Sequence, residues 1–408
     1  MDNNNYLKNY IGPVFFIIIV PILLFIILKK STTISSKICP NLFSLTTLIT
    51  FLLWGFLSLK LFPANFTGPK NVDGFEPKYR DNGFPFWIAS TVAVTAICLK
   101  FKEFPQKFAE NFLPIILTFN IFGLLFVLYL YFRNKDDYFG KESDDRNNFS
   151  PFFRFYRGLN FHSTLWDVDV KQFTNCRFGM ISWQIIIIIF AFFSYYQTGS
   201  FNFAIWVTVI LQSIYIAKFF FWETGYFNTL DITLDRTGYY ICWGCLVFIP
   251  AFYTFTTYYL INHPPQLSPF LAGFIFLLGI LFIYLNYQVD AQKETFKAND
   301  QAPIWGKPPT YITARYEKDG QEKETKLLTS GWWGISRHMN YTFEIGLSAC
   351  WSAVGYQLGI PPFAYLAYII ALLVHRLYRD EEKCRQKYGK YWEEYCEKVK
   401  YRLIPGIY

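Results

Sequence analysis

Long, unbroken apolar runs are the feature that most constrains what this chain can fold into. About 18 consecutive apolar residues are enough to cross the hydrocarbon core of a bilayer as a helix. Eight runs of roughly that length are Gly12–Leu28, Leu42–Leu59, Pro85–Leu99, Phe112–Phe132, Met180–Tyr196, Phe203–Trp222, Tyr239–Leu260 and Phe270–Tyr287. Two shorter runs, Tyr341–Tyr356 and Phe363–His375, are weaker candidates. These runs predict an all-α integral membrane protein, a polytopic bundle of about 10 transmembrane helices.

The composition agrees with a membrane chain and excludes several other classes of protein. Of the 408 residues, 53% are apolar, 22% aromatic and 17% charged, whereas soluble domains carry roughly 25% charged residues. The aromatic share excludes intrinsic disorder, and 8 Cys in so long a chain exclude a small disulfide scaffold. Because the net charge of +8 forms no basic stripe, we predict no nucleic-acid partner.

The apolar runs and the polar stretches between them divide the chain into three parts. We predict N-terminal transmembrane helices over residues 1–132, a cytosolic connection over 133–179 and a catalytic membrane region over 180–408. The connection is rich in Lys and Arg, so the positive-inside tendency places it, residues 288–330 and the C-terminus in the cytoplasm. The first connection then falls outside, although it is basic.

The sixth run carries ionisable side chains, which are costly in or just under a bilayer and tend to mark functional cavities. Tyr215, Lys218 and Trp222 are spaced i, i+3 and i+7 and therefore share a helix face. Three acids follow, namely Glu223, Asp231 and Asp235. The plainer alternative is that Lys218 extends to the interface and that the acids cap the next helix.

Cysteine and histidine residues do not form a metal-binding pattern in this chain. Cys242 and Cys245 form a C-x-x-C inside an apolar run, but no second Cys or His pair accompanies them. Four-ligand zinc therefore is not expected, and buried thiols are the simpler interpretation. The four His lie in separate segments. We predict no metal.

Two lysines and a glycine-rich segment mark the C-terminal third as a candidate binding site. Lys293 and Lys297 lie one helical turn apart at a membrane edge, which suits either a solvated face or a phosphate clamp. Asp319-Gly320 predicts a hairpin turn. The segment Leu327–Tyr341 holds two Gly, two Trp and a Tyr that could wall a planar ring, with Arg337 and Asn340 at its polar edges.

Further downstream, polar and aromatic residues repeat along one helix stripe. Spacings of i, i+4, i+7, i+8 and i+15 relate Asp380, Cys384, Lys387, Tyr388 and Tyr395. A solvent-facing helix accounts for the charges but not for this number of tyrosines. No G-x-G-x-x-G follows a predicted strand, so a Rossmann site is not predicted.

Several of these segments together resemble one family of membrane enzymes. The matching blocks are Phe173–Met180, Trp222–Glu223, Asn228–Ile232, Asp235–Arg236, Tyr240–Val247, Leu327–Tyr341, His375–Arg376 with Arg379–Asp380, Lys387–Trp392 and Tyr401–Tyr408. Their order and sequence are similar to the sterol reductase family, whose members act on Δ14, C24(28) or Δ7 double bonds. The plant-like 7-dehydrocholesterol reductases are the most similar group. The resemblance is strong over residues 156–408.

The resemblance implies a multi-pass enzyme that uses NADPH to saturate a double bond of a sterol, in this group C7=C8 of Δ5,7 sterols. Such an enzyme lies in the endoplasmic reticulum membrane of a eukaryote or the inner membrane of a bacterium. Carried over residue by residue, it places Lys293 and Lys297 near the cofactor phosphates. The residues that would line or close the cofactor site are Leu328, Trp333, Asn340, Tyr341, Asp380, Cys384, Lys387, Tyr388 and Tyr395.

For the sterol side, the resemblance aligns Tyr215 with a tyrosine proposed as the proton donor. Glu223, Asp231 or Asp235 would then act as a nearby acid or connect the donor to cytoplasmic protons. Three departures matter. The N-terminal third of the chain diverges from the family, so no residue role is carried over there. Lys297 stands where the family commonly has Arg, which turns a bidentate phosphate contact into a point charge. The segment Gly158–Phe161 departs from the family pattern.

Three other interpretations are consistent with the sequence. The first is a sterol reductase of another regiochemistry, acting on the Δ14 or a side-chain double bond. The second is a membrane methyltransferase of the isoprenylcysteine type, which shares an Arg-His-x-x-Tyr segment like Arg337–Tyr341. The third is a sterol-binding protein without catalysis. The block Gly244–Val247 favours the plant-like Δ7 group.

Overall fold

The computed structural model describes residues 6–70, 74–134, 149–318 and 321–408. These residues form two compact units, Met1–Gln266 and Leu267–Tyr408, which are called unit 1 and unit 2. Part of the predicted cytosolic connection, residues 135–148, lies outside the described residues. The division of the chain into three functional segments therefore stays a prediction.

Unit 1 is a helical bundle with two short hairpins. Its helices are α1 (Leu7–Ser31), α2 (Leu42–Lys60), α3 (Gly83–Lys100), α4 (Phe104–Glu110), α5 (Phe112–Arg133), α6 (Pro151–Arg157), α7 (Gln172–Thr198), α8 (Phe203–Phe221), α9 (Glu223–Tyr226), α10 (Leu230–Thr233) and α11 (Tyr239–Asn262). Strand β1 (Phe66–Thr67) pairs with β2 (Lys78–Tyr79), and β3 (Thr164–Leu165) pairs with β4 (Val168–Asp169), both antiparallel.

Helix α7 is the centre of unit 1. Its first part, Gln172–Met180, and the Gly244–Tyr253 part of α11 are π-helical and pack against each other. Gly179 permits this approach, because a Cβ at that position would lie 2.8 Å from the Cys245 carbonyl oxygen. The α7 residues Trp183 and Ile186 have no exposed surface. Such wide turns are uncommon and often occur at functional sites.

Side-chain caps define where several of these helices begin. Asn41 accepts a hydrogen bond from the Ser44 backbone N–H while Ser44 accepts from that of Asn41, which is a capping box at the start of α2. Asn202 accepts from the Ile205 N–H and begins α8. Each cap satisfies an N–H group that would otherwise have no partner in lipid.

Unit 2 combines three long helices with one hairpin. Its elements are α12 (Pro269–Ala298), β5 (Tyr311–Lys318), β6 (Gln321–Leu328), α13 (Trp332–Ile335), α14 (Met339–Ala353), α15 (Ala364–Tyr388) and α16 (Lys390–Lys398). The strands pair antiparallel, with Tyr311 opposite Leu328. They confirm the predicted hairpin, although its turn residues 319–320 lie outside the described residues.

The membrane architecture agrees with the sequence. Among the described residues, nine helices are long and apolar enough to cross a bilayer. Seven of the eight clear apolar runs fall within such helices, and the run Phe203–Trp222 extends one residue beyond the helix Phe203–Phe221. The ninth candidate helix is Pro361–Tyr388. The other short run lies on α14, which has only 15 residues. The chain is an all-α polytopic membrane protein, as predicted.

Candidate functional site

A fully buried ion pair in unit 1 joins Arg177 of α7 to Glu223 of α9. Both terminal nitrogens of Arg177 donate to the Glu223 carboxylate, and one also donates to Asn82 Oδ1 at 2.6 Å. Gly83 lies against the pair, since a Cβ there would be 2.8 Å from Glu223 Cδ. A carboxylate held by a guanidinium in this way is a structural anchor. The sequence-based role of Glu223 in proton delivery is therefore not supported by its position.

The two other acids of the predicted set lie on a backbone segment that is held by a buried lysine. Lys171 Nζ donates to the carbonyl oxygens of Asp231 at 3.1 Å, Ile232 at 2.7 Å and Asp235 at 2.6 Å. Burial lowers the pKa of Lys171 to about 8, an effect that nearby acids partly oppose. The carboxylates of Asp231 and Asp235 are half-buried. These two remain candidates for a proton path.

Tyr215 lies beside a buried polar network that sequence reasoning did not identify. The centroid of its ring is 5.9 Å from that of Trp183. Trp183 Nε1 donates to Gln212 Oε1 at 2.6 Å, and Gln212 Nε2 donates to Thr208 at 3.0 Å and to Thr257 at 3.2 Å. In the sequence, the signal that could have identified this network was a set of polar residues spaced i, i+4 and i+7 within the apolar run of α8. Tyr215 therefore lies on the polar face of α8.

The cysteines and candidate metal ligands of the described residues show no metal-binding arrangement. Cys242 and Cys245 are buried free thiols, and Cys245 Sγ accepts a hydrogen bond from Asn175 Nδ2 at 3.4 Å. No group of three or more His, Cys, Asp or Glu side chains lies close enough to hold a metal ion in the described part of the chain.

In unit 2, Trp333 connects several of the residues predicted to line a cofactor site. Its Nε1 donates to the Val289 carbonyl at 2.9 Å, and Tyr395 donates its hydroxyl to the Trp333 carbonyl at 3.3 Å. The ammonium of Lys293 lies 4.0 Å from the centroid of the indole. Leu328 packs in the same buried cluster. The predicted residues Lys293, Leu328, Trp333 and Tyr395 are thus brought together.

The environment of Lys293 includes further members of the predicted set. Lys297, Asp380 and Cys384 all act electrostatically on its ammonium group. Lys297 is exposed and lines a cavity of about 450 Å³ that also contains Asp300 and Lys326, which form an ion pair. The charged residues that line this cavity are balanced, with Lys297 and Lys326 against Asp300 and Glu324.

Asn340 and Tyr341 lie at the start of α14, on the side that faces α12. Asn340 Nδ2 donates to Asp290 Oδ1 at 3.3 Å, and Asn286 donates to the Asn340 carbonyl at 2.8 Å. The Tyr341 ring stacks on His338 with centroids 5.1 Å apart. Burial, with a smaller effect from neighbouring cations, lowers the pKa of His338 to about 3. His338 is therefore a neutral imidazole at physiological pH.

Lys387 and Tyr388 lie against the hairpin, where the structure adds a residue that sequence reasoning missed. Lys387 Nζ is 4.2 Å from the centroid of Tyr316, and the Tyr316 and Tyr388 rings meet edge to face at 5.6 Å. Tyr316 shares a strand face with the buried Ile312 and Ala314. That alternation was the signal that could have identified it.

Arg337, which the sequence suggested for the polar edge of a ring-binding site, is engaged by groups of the chain itself. Its Nε donates to Glu381 Oε1 at 2.8 Å, and a terminal nitrogen donates to the Val399 carbonyl at 2.6 Å. Arg402 approaches the other oxygen of Glu381 at 3.1 Å. Arg337 and Glu381 are both buried. The guanidinium therefore organises the protein, because its donors are used within the chain.

The segment of residues 399–403, here called the C-terminal strap, crosses the start of α14. The backbone N–H groups of Arg337 and His338 donate to the carbonyl groups of Tyr401 and Arg402, both at 3.0 Å. Ser336 and Thr342 each donate a side-chain hydroxyl to the Leu403 carbonyl. The strap thus holds the segment from which Asn340 and Tyr341 extend.

Comparison with known proteins identifies the class of this site. The profile of the family described as "Ergosterol biosynthesis ERG4/ERG24 family" matches residues 12–408. The chain belongs to this sterol reductase family. It is 39% identical to a 7-dehydrocholesterol reductase of Arabidopsis thaliana over 84% of this chain and 79% of the relative. A 7-dehydrocholesterol reductase of Danio rerio is 34% identical over 84% of this chain and 72% of the relative.

Sterol reductases named for another double bond are also similar to the chain. A Delta(14)-sterol reductase of Methylotuvimicrobium alcaliphilum is 31% identical over 84% of this chain and 77% of the relative. Membership of the sterol reductase family makes the chain a multi-pass membrane oxidoreductase of sterol biosynthesis. It also decides against the methyltransferase interpretation of the Arg337–Tyr341 segment.

Proposed function

We propose that this sterol reductase saturates the C7=C8 double bond of Δ5,7 sterols with NADPH. The observation that carries the proposal is the 39% identity to a 7-dehydrocholesterol reductase over 84% of the chain. Further support comes from the 34% identical relative of the same name and from the Gly244–Val247 block. We place the enzyme in the endoplasmic reticulum membrane of a eukaryote or the inner membrane of a bacterium.

The residues of unit 2 fit a dinucleotide with several phosphates. NADPH, when bound, supplies a hydride. Lys293 and Lys297 would offer ammonium groups for phosphate, and Lys387 adds a third cation near Tyr316 and Tyr388. The other side chains of the proposed site are Leu328, Trp333, Asn340, Tyr341, Asp380, Cys384 and Tyr395. Lys297 would act as a point charge, without the bidentate geometry of arginine.

The reduction also needs a proton, because a hydride does not attack an electron-rich alkene. Protonation of a conjugated diene gives an allylic cation, and aromatic side chains can stabilise that cation through their ring faces. We propose Tyr215 Oη as the proton donor. The Trp183–Gln212 network beside it would orient the phenol in an otherwise apolar region. Asp231 or Asp235 would return a proton to it from the cytoplasmic side.

Loss of diene absorbance tests the proposed reaction directly. The purified chain in phosphatidylcholine vesicles would be given 7-dehydrocholesterol and NADPH, and the ultraviolet absorbance of the conjugated diene would be followed. We expect the absorbance to disappear and the product to carry one double bond fewer. Folded protein that leaves the diene unchanged would contradict the proposal.

The proton donor is tested by Tyr215→Phe, which removes only the hydroxyl. We expect turnover to fall by about 10²-fold or more, since general acid catalysis contributes on that order. Phe219→Leu, also on α8, is the matched control and should retain turnover. Full activity of folded Tyr215→Phe would remove Tyr215 from the mechanism.

A Δ14 reductase is the second candidate, favoured by the 31% identical Delta(14)-sterol reductase of Methylotuvimicrobium alcaliphilum. A Δ8,14 sterol and a side-chain-unsaturated sterol in the same assay separate the two reactions. Preferred reduction of either one over 7-dehydrocholesterol would replace the Δ7 assignment without changing the class of enzyme. Sterol binding without any reduction would favour the non-catalytic interpretation.

A further inference from the structure

A short hairpin in unit 1 presents a tryptophan at the surface. Its strands β3 and β4 pair Leu165 with Val168, so that Trp166 and Asp167 form a two-residue turn. The Trp166 side chain is apolar over most of its area, yet the residue is 75% exposed. An indole also carries one polar N–H group. The tip of the hairpin is therefore an amphipathic projection from the unit.

The turn holds Trp166 in an unfavourable backbone conformation. The φ angle is 48° for Trp166 and 66° for Asp167. A two-residue turn with positive φ at both positions favours Asn-Gly or Asp-Gly, because a large side chain is strained there. Two cations hold the turn, since Lys60 Nζ donates to the Trp166 carbonyl at 2.9 Å and Arg80 donates to the Asp167 carbonyl at 2.7 Å. Backbone strain that the surrounding structure maintains in this way is typical of functional positions.

The contacts of the turn place Trp166 at the level of a membrane surface. Lys60 is the last residue of α2, which is a candidate membrane span, so its ammonium group marks the end of the apolar segment. The Trp166 ring meets the Phe56 ring edge to face, with centroids 5.7 Å apart. Phe56 lies one helical turn before Lys60, or about 6 Å further into the span. The indole therefore extends from the polar end of α2 back towards its apolar part.

The surface beside the indole is also apolar. Leu61 and Phe62 directly follow α2 and are 72% and 54% exposed. A lysine together with a tryptophan and exposed apolar side chains at the end of a span is typical of the boundary between lipid headgroups and acyl chains. The hairpin belongs to residues 133–179, which the positive-inside tendency places in the cytoplasm. This surface then faces the cytoplasmic leaflet.

We propose that Trp166 anchors unit 1 in the cytoplasmic leaflet, with its indole between the phospholipid headgroups and the acyl chains. The ring contacts the first methylene groups of the acyl chains, and Nε1 donates to a phospholipid ester or phosphate oxygen. The neighbouring acid does not oppose this contact, because Asp167 Oδ2 is paired with Arg80 at 3.2 Å.

The anchor also positions the start of α7. Asp169, at the end of β4, accepts the Gln172 backbone N–H at 2.9 Å. The Gln172 side chain donates to the carbonyl of Arg80 at 2.7 Å, and Arg80 holds the turn. Hydrogen bonds thus join the turn to the first residues of α7. The depth of the indole in the bilayer is thereby linked to the height of α7.

Quenching by brominated lipids measures the depth of Trp166. The chain would be reconstituted in phosphatidylcholine vesicles that carry either a 6,7-dibromostearoyl or an 11,12-dibromostearoyl chain. Subtracting the emission of Trp166→Phe from that of the unmodified chain isolates one indole among 12. We expect the shallow 6,7-dibromo lipid to quench this difference more strongly than the deep 11,12-dibromo lipid. Quenching by aqueous acrylamide alone, or by no agent, would overturn the proposal, because the indole would then lie in water or under protein.

Trp54 is the matched control on the same helix. It is 40% exposed and lies six residues before Lys60, or about 9 Å further into the span. The difference obtained with Trp54→Phe should therefore be quenched more strongly by the deep bromine. The opposite order is expected for Trp166, and deep quenching of both indoles would overturn the proposal.

A second variant guards against misfolding of Trp166→Phe. Asn adopts positive φ more readily than aromatic residues do, so Trp166→Asn should fold and give the same difference in emission. Circular dichroism verifies the fold of each variant. The measurement does not involve catalysis, so its result is independent of the proposed function.

Discussion

The Glu223 carboxylate accepts hydrogen bonds from both terminal nitrogens of Arg177, and neither side chain is exposed. Asn82 and the Arg80 carbonyl complete the coordination of the guanidinium. Two charges withdrawn from water in this way are tolerated only as a pair with additional hydrogen bonds. At this position, therefore, the ion pair gives the buried charge a structural role, and the part of Glu223 in proton delivery stays a prediction.

Glu223→Gln tests this structural role. The variant leaves the Arg177 charge buried without its counter-ion, and we expect the free energy of unfolding to fall by about 3–5 kcal/mol. The measurement is unfolding in mixed micelles, followed by circular dichroism. Glu76→Gln removes the exposed partner of Lys70 and should change the free energy by less than about 1 kcal/mol. Equal effects of the two variants would contradict the anchor role.

His338 gives a pH dependence of stability with a defined sign. Its pKa is about 3 in the folded chain and about 6.5 when exposed to water. Between these values the unfolded chain binds a proton that the folded chain does not bind, so stability decreases as the pH falls from 6.5 towards 3. The slope reaches at most about 1.4 kcal/mol per pH unit. We expect His338→Gln to flatten unfolding free energies measured between pH 7 and pH 4, and an unchanged slope would contradict this assignment.

At the scale of elements, the C-terminal strap fixes the start of α14. Its Tyr401 and Arg402 carbonyl groups accept the N–H groups of Arg337 and His338, which α14 itself cannot satisfy. The guanidinium of Arg337 then ties the strap to Glu381 on α15. The position of Asn340 and Tyr341 therefore depends on residues about 60 positions later in the chain.

Because two hydroxyl groups donate to one carbonyl of the strap, we predict that removing both changes the free energy of unfolding by more than the sum of the single changes. Ser336→Ala and Thr342→Val each remove one of two side-chain donors to the buried Leu403 carbonyl, and each should cost about 1 kcal/mol. Together they leave that oxygen without either donor, so the double variant should cost about 1–2 kcal/mol more than the sum. The double-mutant cycle compares the unfolding free energies of the unmodified chain, the two single variants and the double variant. Strict additivity would mean that the two hydroxyls do not share this role.

At the scale of the whole molecule, helix α14 decides how many times the chain crosses the membrane. Its 15 residues span about 22 Å, less than the hydrocarbon core of about 30 Å. Nine candidate spans were found in the described residues without it. The positive-inside argument requires residues 288–330 and the C-terminus to share the cytoplasmic side. Because α15 belongs to the candidate span Pro361–Tyr388, this requires α14 to cross as well.

Cysteine labelling tests this topology. Gln357, in the connection between α14 and α15, and Gln301, after α12, are both accessible at the surface of unit 2. We expect Gln357→Cys to react with a membrane-impermeant maleimide from the non-cytoplasmic side of sealed vesicles, and Gln301→Cys only from the cytoplasmic side. The unmodified chain gives the background from native cysteines. Labelling of both positions from one side would show that α14 does not cross.

The sequence by itself determined the membrane architecture, the hairpin and the family. Apolar runs reflect contact with lipid and packed helices, which is a property of each segment, and Asp319-Gly320 acts locally on the turn. The resemblance also selected Lys293, Trp333, Asp380, Cys384 and Tyr395, which the fold brings together. Their role in binding a cofactor stays a prediction.

Only the tertiary structure decided how the polar side chains are paired. Glu223 and Arg337 have the residue types of a functional site, but each is consumed by a partner 44 or more positions away in the chain. Conversely, the buried polar atoms Gln184 Oε1 and Trp206 Nε1 have no hydrogen-bond partner, which also becomes visible only once the helices are packed. The physical reason is that hydropathy is a segment property, whereas the satisfaction of a buried polar atom depends on which distant group packing places within about 3 Å.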